Sequence, residues 1–233
     1  MSVTFNGTTQ YLTIDDDAAL TLTPPWAVSL WFRVLDPDDS GYILAWGTPA
    51  TATSFNVTIY SQGHGTYPGQ LLVSALDASG NRVVLNTGTV TGSSEWQHLA
   101  INVSEAGVLE VFVDNVSAGT NTNANYAGTN NSDPFYVGRW SGGSFVEIQV
   151  SEVAKYDACF TADQRAELLV KPAGLISAAP GWWLPCYSDL AEKTAGLTVT
   201  PYGDAAANPA DHPVAYFRPA WAQNVNRCIG LGV

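Results

Sequence analysis

The chain has 233 residues, 46% of them hydrophobic and only 13% charged, and its 21 acidic and 9 basic side chains give a net charge of −12. That length and apolar fraction suffice for one sizeable core without metal or disulfide staples, and the negative balance excludes phosphate backbones and anionic membranes as favoured partners. With so few charges, the surface has to be built from Thr, Ser, Asn and Gly, residues that suit strands and turns.

Residues 1–30 carry no basic segment followed by an apolar one, and no run is long enough to span a bilayer. The expectation is a product made in a cytoplasm without a signal peptide and without membrane insertion. From there the apolar period is two almost throughout. Val28, Leu30 and Phe32 alternate with polar or amphipathic neighbours, then Phe55, Val57 and Ile59, then Leu71, Val73 and Ala75. Leu99, Ile101 and Val103 run into Ser104-Glu105-Ala106-Gly107, after which Leu109, Val111 and Val113 return, as in a β-hairpin with a Gly-containing turn. Residues 117–134 read as the longest loop. Val146, Ile148 and Val150 form a further strand, and the slip of one residue to Val153 predicts a β-bulge at Ser151–Glu152. Thr161 followed by Gln164 has the spacing of a capping box, so a short helix begins there and ends at Lys171-Pro172.

Beyond Gly174 the alternation fades while Trp182, Trp183, Phe217 and Trp221 accumulate. Residues 1–173 are therefore expected to form an all-β antiparallel jelly-roll sandwich with one short helix. Residues 174–233 are expected to form an irregular, aromatic-rich docking segment, too aromatic for a solvated linker. Cys159, Cys186 and Cys228, odd in number and widely spaced, form neither a disulfide framework nor a zinc motif and read as small hydrophobes, with one pairing left open.

Several stretches resemble one family in order. Phe5-Asn6-Gly7 with Tyr11-Leu12 resembles its opening, Val28–Phe32 its first long core strand, and Trp96-Gln97-His98-Leu99-Ala100 its W-x-H strand. Leu109–Asn115 resembles its V-D-G hairpin partner with Asn115 in the Gly place, and Phe135–Gly138 the strand that follows. Val150–Tyr156 through Phe160–Gln164 resembles its E-V-x-x-Y ending. Together these resemble the laminin-G-like jelly roll of the concanavalin A-like lectin/glucanase superfamily, which implies the sandwich but no particular ligand. Gly181–Pro185, Ser188-Asp189-Leu190, Leu197–Thr200 and Asp211-His212-Pro213 resemble the segment that follows such domains in tailed-phage structural proteins.

Glu147-Ile148-Gln149-Val150-Ser151-Glu152 approaches the E-x-D-x-x-E strand of laminarinase-like relatives, whose two Glu act as nucleophile and acid/base. Here Gln149 replaces the Asp, and a neutral amide cannot tune the carboxyls by sharing a proton. No catalytic residue is therefore expected. His64, His98 and His212 lack ligand spacing, so no metal residue and no cofactor is expected. Calcium is left open through Asp15-Asp16-Asp17 and Asp36-Pro37-Asp38-Asp39, acidic stretches that turns also favour. Exposed aromatics suit carbohydrate, because their faces stack on the apolar side of sugar rings. Trp140, between Arg139 and Gly142-Gly143, and Tyr67, beside His64, are the candidate glycan contacts. Trp182, Trp183, Phe217, Trp221, Ile229 and Leu231 are the candidate interface residues, weighed against folding back onto the sandwich.

The sequence thus points to a non-enzymatic surface protein of a tailed-phage virion, a capsid decoration or a fibre- or tail-associated component. Its partners would be capsid or tail proteins, its own copies and a cell-surface glycan. The alternatives are a bacterial glycan-binding or adhesion module and a degenerate glycoside hydrolase.

Overall fold

A computed structural model describes residues 2–15, 20–46, 55–76, 82–89, 95–122, 134–140, 143–186 and 194–208. Two antiparallel sheets face each other. The first holds β10 (Val116–Asn121), β9 (Leu109–Val113), β8 (Gln97–Val103), β3 (Trp26–Val34), β12 (Glu147–Tyr156), β1 (Ser2–Asn6) and β15 (Ala207–Asn208) in that order, with β13 (Trp182–Leu184) also paired to β12. The second runs β14 (Val199–Tyr202), β2 (Tyr11–Ile14), β11 (Phe135–Val137), β4 (Gly41–Trp46), β5 (Phe55–Ile59), β6 (Gln70–Leu76) and β7 (Arg82–Thr89). This is the expected jelly-roll sandwich. No helix among the described residues is long and apolar enough to cross a membrane.

The two-residue rhythm sets which side chains fill the space between the sheets. Val28, Leu30 and Phe32 from β3 meet Val57, Ile59, Leu71 and Val73 from the opposite sheet in one buried cluster. Trp26 meets Phe55 edge-on with ring centroids 5.2 Å apart. Each such fully buried large side chain stabilises the fold by about 1.5–3 kcal/mol relative to leaving it in water.

The local turn chemistry follows the sequence. The Gly107 N–H bonds the Ser104 carbonyl at 2.8 Å to close the β8–β9 hairpin. Asp114 and Asn115, at φ 50° and 62°, turn β9 into β10, which is why Asn serves in place of Gly there. The register between β12 and β3 shifts between Ser151 and Ala154, with Glu152 at φ 56°, so the bulge falls where the alternation slips. Helix α1 (Ala162–Leu168) carries the reciprocal capping box of Thr161 and Gln164. It lays Leu168 with Phe160 and Tyr156 over Ala27, Ala100 and Phe112, forming a second, smaller core on the outside of the first sheet.

Two expectations are corrected. Residues 116–121 form strand β10 and not the start of a loop, because the edge position lets a strand with no buried residue complete its ladder through β9. Residues 123–133 lie outside the described residues. The stretch after Gly174 does not stand apart from the sandwich either, as far as it is described. β13 extends the first sheet through Val153↔Leu184, β14 edges the second through Tyr202↔Tyr11, and β15 pairs with β1.

Candidate functional site

Within the glucanase-like stretch, Glu152 is bound into the fold. Glu152 sits on the bulge at 1% exposure. Its Oε2 accepts the Ala173 backbone N–H at 2.9 Å and the Trp183 indole N–H at 2.9 Å. Tyr156 donates to the Ala173 carbonyl at 2.7 Å from the same strand, so the E-V-x-x-Y ending fastens the segment after α1 onto β12. The negative charge of Glu152 and, more strongly, burial push the Tyr156 phenol up. Gln149 is likewise engaged: its Oε1 accepts from the Arg33 guanidinium, Nε lying at 2.7 Å, and its Nε2 donates to Thr4 Oγ1 at 3.0 Å.

His98, the histidine of the W-x-H strand, is structural too. Its Nε2 lies 3.1 Å from Ser29 Oγ and its backbone N–H bonds Asp114 Oδ1 at 2.8 Å. Complete burial lowers its imidazole from 6.5 to about 3, so the ring stays neutral. Cys159 and Cys186 are free thiols, both pushed up by burial first and by a nearby Glu second, and Cys228 lies outside the described residues. A groove of about 230 Å³ borders Cys159, Phe160 and Gln164, but the one carboxylate lining it, Asp157, is already paired with Lys155.

The acidic turn is built for structure. Asp36 Oδ1 accepts the Asp38 N–H at 2.9 Å, while Asp39 takes the Ser40 N–H at 2.9 Å on one oxygen and the Glu147 N–H at 2.8 Å on the other. Among the described residues no three His, Cys, Asp or Glu converge as a metal site. Asp16 and Asp17 lie outside them.

The interface candidates divide. Trp182 is fully buried between the sheets, 5.3 Å from Phe135 and 6.0 Å from Trp46 between ring centroids, and so cannot meet another subunit. Pairing of β13 with β12 turns alternate side chains inward, and this one points into the core. Trp183 points the other way, onto Ala173 and Gly174, where its indole is bonded to Glu152. Phe217, Trp221, Ile229 and Leu231 lie outside the described residues.

What gathers chemistry is one end of the sandwich. The loops after β1, β3, β5, β11 and β14 meet there. Gln62 N–H bonds the Pro37 carbonyl at 2.8 Å, Ser61 N–H bonds Ser40 Oγ at 2.7 Å, and Tyr42 N–H bonds the Ser144 carbonyl at 3.4 Å. Glycines let these loops approach: a Cβ on Gly41 would lie 2.2 Å from the Phe145 carbonyl oxygen, and one on Gly203, at φ 63°, 2.5 Å from that of Thr9.

Two aromatic groups line this rim. In the first, Tyr202 stacks flat on Tyr11 with centroids 4.4 Å apart and planes 4° apart. The Arg139 guanidinium carbon lies 4.2 Å from the Tyr11 centroid and 5.2 Å from that of Phe145. Two groups that close cannot share one ring face, so Tyr11 is held between Tyr202 and Arg139. Arg139 Nε also donates to the Trp140 carbonyl at 2.8 Å, and the Trp140 ring lies 5.5 Å from Tyr42. In the second group Tyr67 lies nearly parallel to His64 at 5.8 Å, and Tyr60 packs on both at 5.4 and 4.3 Å. His64 Nδ1 accepts the Tyr67 and Thr66 backbone N–H groups at 3.0 and 3.3 Å, which fixes the loop and leaves Nε2 to carry the proton.

Trp140, Tyr67 and His64 thus lie on one rim, half-buried and loop-borne. The sequence reading missed Tyr42 and Arg139, which meet Trp140, and Tyr11, Tyr136 and Tyr202, which pack with Arg139 or on one another. Their signal is faint: Tyr11 and Tyr136 occupy outward phases of strands whose neighbours Leu12, Phe135 and Val137 point inward.

Solved structures of similar fold include a heptameric SAP-like pentraxin from Limulus polyphemus, at 14% identity and a TM-score of 0.60, over 91% of this chain and 97% of that one. The binding domain of Paraclostridial Mosquitocidal Protein 1 matches at 13% identity and a TM-score of 0.55, over 68% of this chain and 40% of that one. Domains LG4-5 of the mouse laminin α1 chain match at 15% identity and a TM-score of 0.52, over 66% of this chain and 40% of that one. At such identities the likeness is one of fold. No curated protein matches the chain. The laminin G family model described as the concanavalin A-like lectin/glucanases superfamily matches residues 6–164, well over half of the sequence, and the chain belongs to that family.

Proposed function

We propose that this protein is a non-enzymatic recognition module whose aromatic rim binds carbohydrate. The carrying observation is the Tyr202–Tyr11–Arg139 stack beside Trp140: the outermost ring, Tyr202, is 42% exposed, and the layers beneath hold it in place before any ligand arrives. Such a preformed platform saves the ordering cost that a mobile side chain would incur on binding. The non-enzymatic reading rests on Glu152, whose carboxylate is buried and bonded to Ala173 and Trp183, out of reach of a glycosidic bond. A glycan array tests the proposal, comparing the natural protein with Trp140→Ala and Tyr202→Ala. Retention that both substitutions abolish is the expected result; silence across the array, or retention indifferent to both, overturns it.

We further place the module on the surface of a tailed-phage virion, attached to capsid or tail proteins and to its own copies. The support is the likeness of residues 181–213 to phage structural proteins and the uncharged polar composition. Immunogold labelling of purified particles tests this placement. Unlabelled particles would favour a bacterial adhesion module with the same rim.

A further inference from the structure

The rim is longer than one sugar-sized pocket. In the second sheet the strands β14, β2, β11, β4 and β5 are consecutive neighbours. At this end each of the five carries an aromatic ring: Tyr202, Tyr11, Tyr136, Tyr42 and, directly after β5, Tyr60. Tyr202 and Tyr11 are register partners, and Tyr136 and Tyr42 pair with Ala45 and Thr58. Tyr202, Tyr11 and Tyr136 lie on the strand phase opposite to the buried Leu12 and Val137, and the bulge between Tyr42 and Leu44 pairs Tyr42 with Thr58 while the buried Leu44 pairs with Val57, so all four share the outer face. Adjacent strands are about 4.8 Å apart, so four spacings carry the row roughly 19 Å across the strand ends.

Resting on the carbohydrate reading above, we infer that the rim is a track for an extended, uncharged polysaccharide lying across the strand ends, and not a pocket for one terminal sugar. Tyr11, covered by Tyr202 and Arg139, supports the row, and the rings on either side of it, Tyr202 to one and Tyr42 and Tyr60 to the other, offer repeated stacking faces to a repeating chain, each contact weak alone and additive along the chain. Its ends are the Tyr202–Tyr11 stack and the Tyr60–Tyr67–His64 group. Charge sets the ligand class. Asp36, Asp38 and Asp204 stand exposed at this end, and Arg139 is engaged with Tyr11 and Phe145. A polyanionic glycan would meet like charge.

Titration calorimetry with neutral cello-, manno- and malto-oligosaccharides of two, four and six units, on the full chain, tests the inference. In the series that binds, affinity should rise about tenfold or more from two to six units. Tyr202→Ala and Tyr67→Ala, at opposite ends and checked for folding by thermal melting, should each weaken the six-unit ligand. Equal affinity for two and six units, or sensitivity to one end alone, overturns the track and leaves a single rim site. Stronger binding of polygalacturonate than of every neutral series overturns the charge argument. Absence of binding to all of these probes overturns the carbohydrate reading itself and turns the rim towards a protein partner.

Discussion

Glu152 and Trp183 are joined by a 2.9 Å hydrogen bond between carboxylate and indole, and the oxygen that accepts it also takes the Ala173 N–H. At φ 56° a glutamate on a bulge is strained where glycine or asparagine would not be, so the position is held by what its side chain does. Replacing Glu152 by Ala leaves both donors without this acceptor and is expected to destabilise the fold by about 2–4 kcal/mol. Glu152→Gln, which keeps an acceptor oxygen, should cost roughly half as much. Urea midpoints at neutral pH measure both, and a Glu152→Ala midpoint equal to that of the natural protein would show that this carboxylate does not fasten the segment.

Glycine substitutions separate crowded positions from open ones. A Cβ on Gly174 would lie 2.3 Å from the Trp183 ring, and one on Gly138, at φ 85°, 2.8 Å from Phe5. Gly174→Ala and Gly138→Ala should each cost about 1–3 kcal/mol, because core rings must shift. Gly65→Ala meets nothing within 4 Å and should leave stability unchanged or raise it by a few tenths of a kcal/mol through the unfolded state. Thermal melts of the three variants check the order, which fails if Gly65→Ala is the most damaging.

Such contacts mark the limit of what the chain spells out locally. The bulge, the capping box and the β8–β9 turn each depend on residues within a few positions of one another, so the pattern exposed them. β13 and β14 are only three and four residues long, too short for alternation to register, and they exist because β12 and β2 offer edges to pair with. β10 has no buried residue and so no periodic signal. The same holds at the rim. Trp140, Tyr67 and His64 stand out through flanking glycines, whereas Tyr202 and Tyr11 become a stack only through sheet register, which no local pattern encodes. Trp182 misled because an aromatic pair looks alike whether one ring or both face outward.

Stability should fall with acid through His98. Its imidazole is depressed from 6.5 to about 3, so above 6.5 the ring is neutral in both states and adds no pH dependence. Between these values the unfolded chain binds a proton that the folded one does not, and stability drops as pH falls, by up to about 1.4 kcal/mol per unit. Glu167, held down to about 2 by hydrogen bonds from Lys171 and Ser177, adds a loss of the same sign only as pH falls below its ordinary 4.5. Urea midpoints at about pH 7, 6 and 5 isolate the histidine. The slope should flatten in His98→Gln whatever its absolute stability, and parallel slopes would assign the acid sensitivity elsewhere.

Arg139→Lys tests whether the rim works through stacked planes or through positive charge. The guanidinium is flat, which lets it lie over Tyr11 and Phe145 while Nε still donates to the Trp140 carbonyl; an ammonium keeps the charge but has neither the plane nor a donor at that angle. If the layered stack positions Tyr202, the lysine variant should lose about tenfold in affinity for a neutral oligosaccharide, a change of about 1.4 kcal/mol. Its melting temperature should stay close to that of the natural protein, because the site lies outside the buried core. If charge were the operative feature, lysine would substitute without loss and raising the salt concentration would weaken binding in both proteins. A neutral ligand held by stacking predicts the reverse on both counts: the substitution is felt and the salt is not.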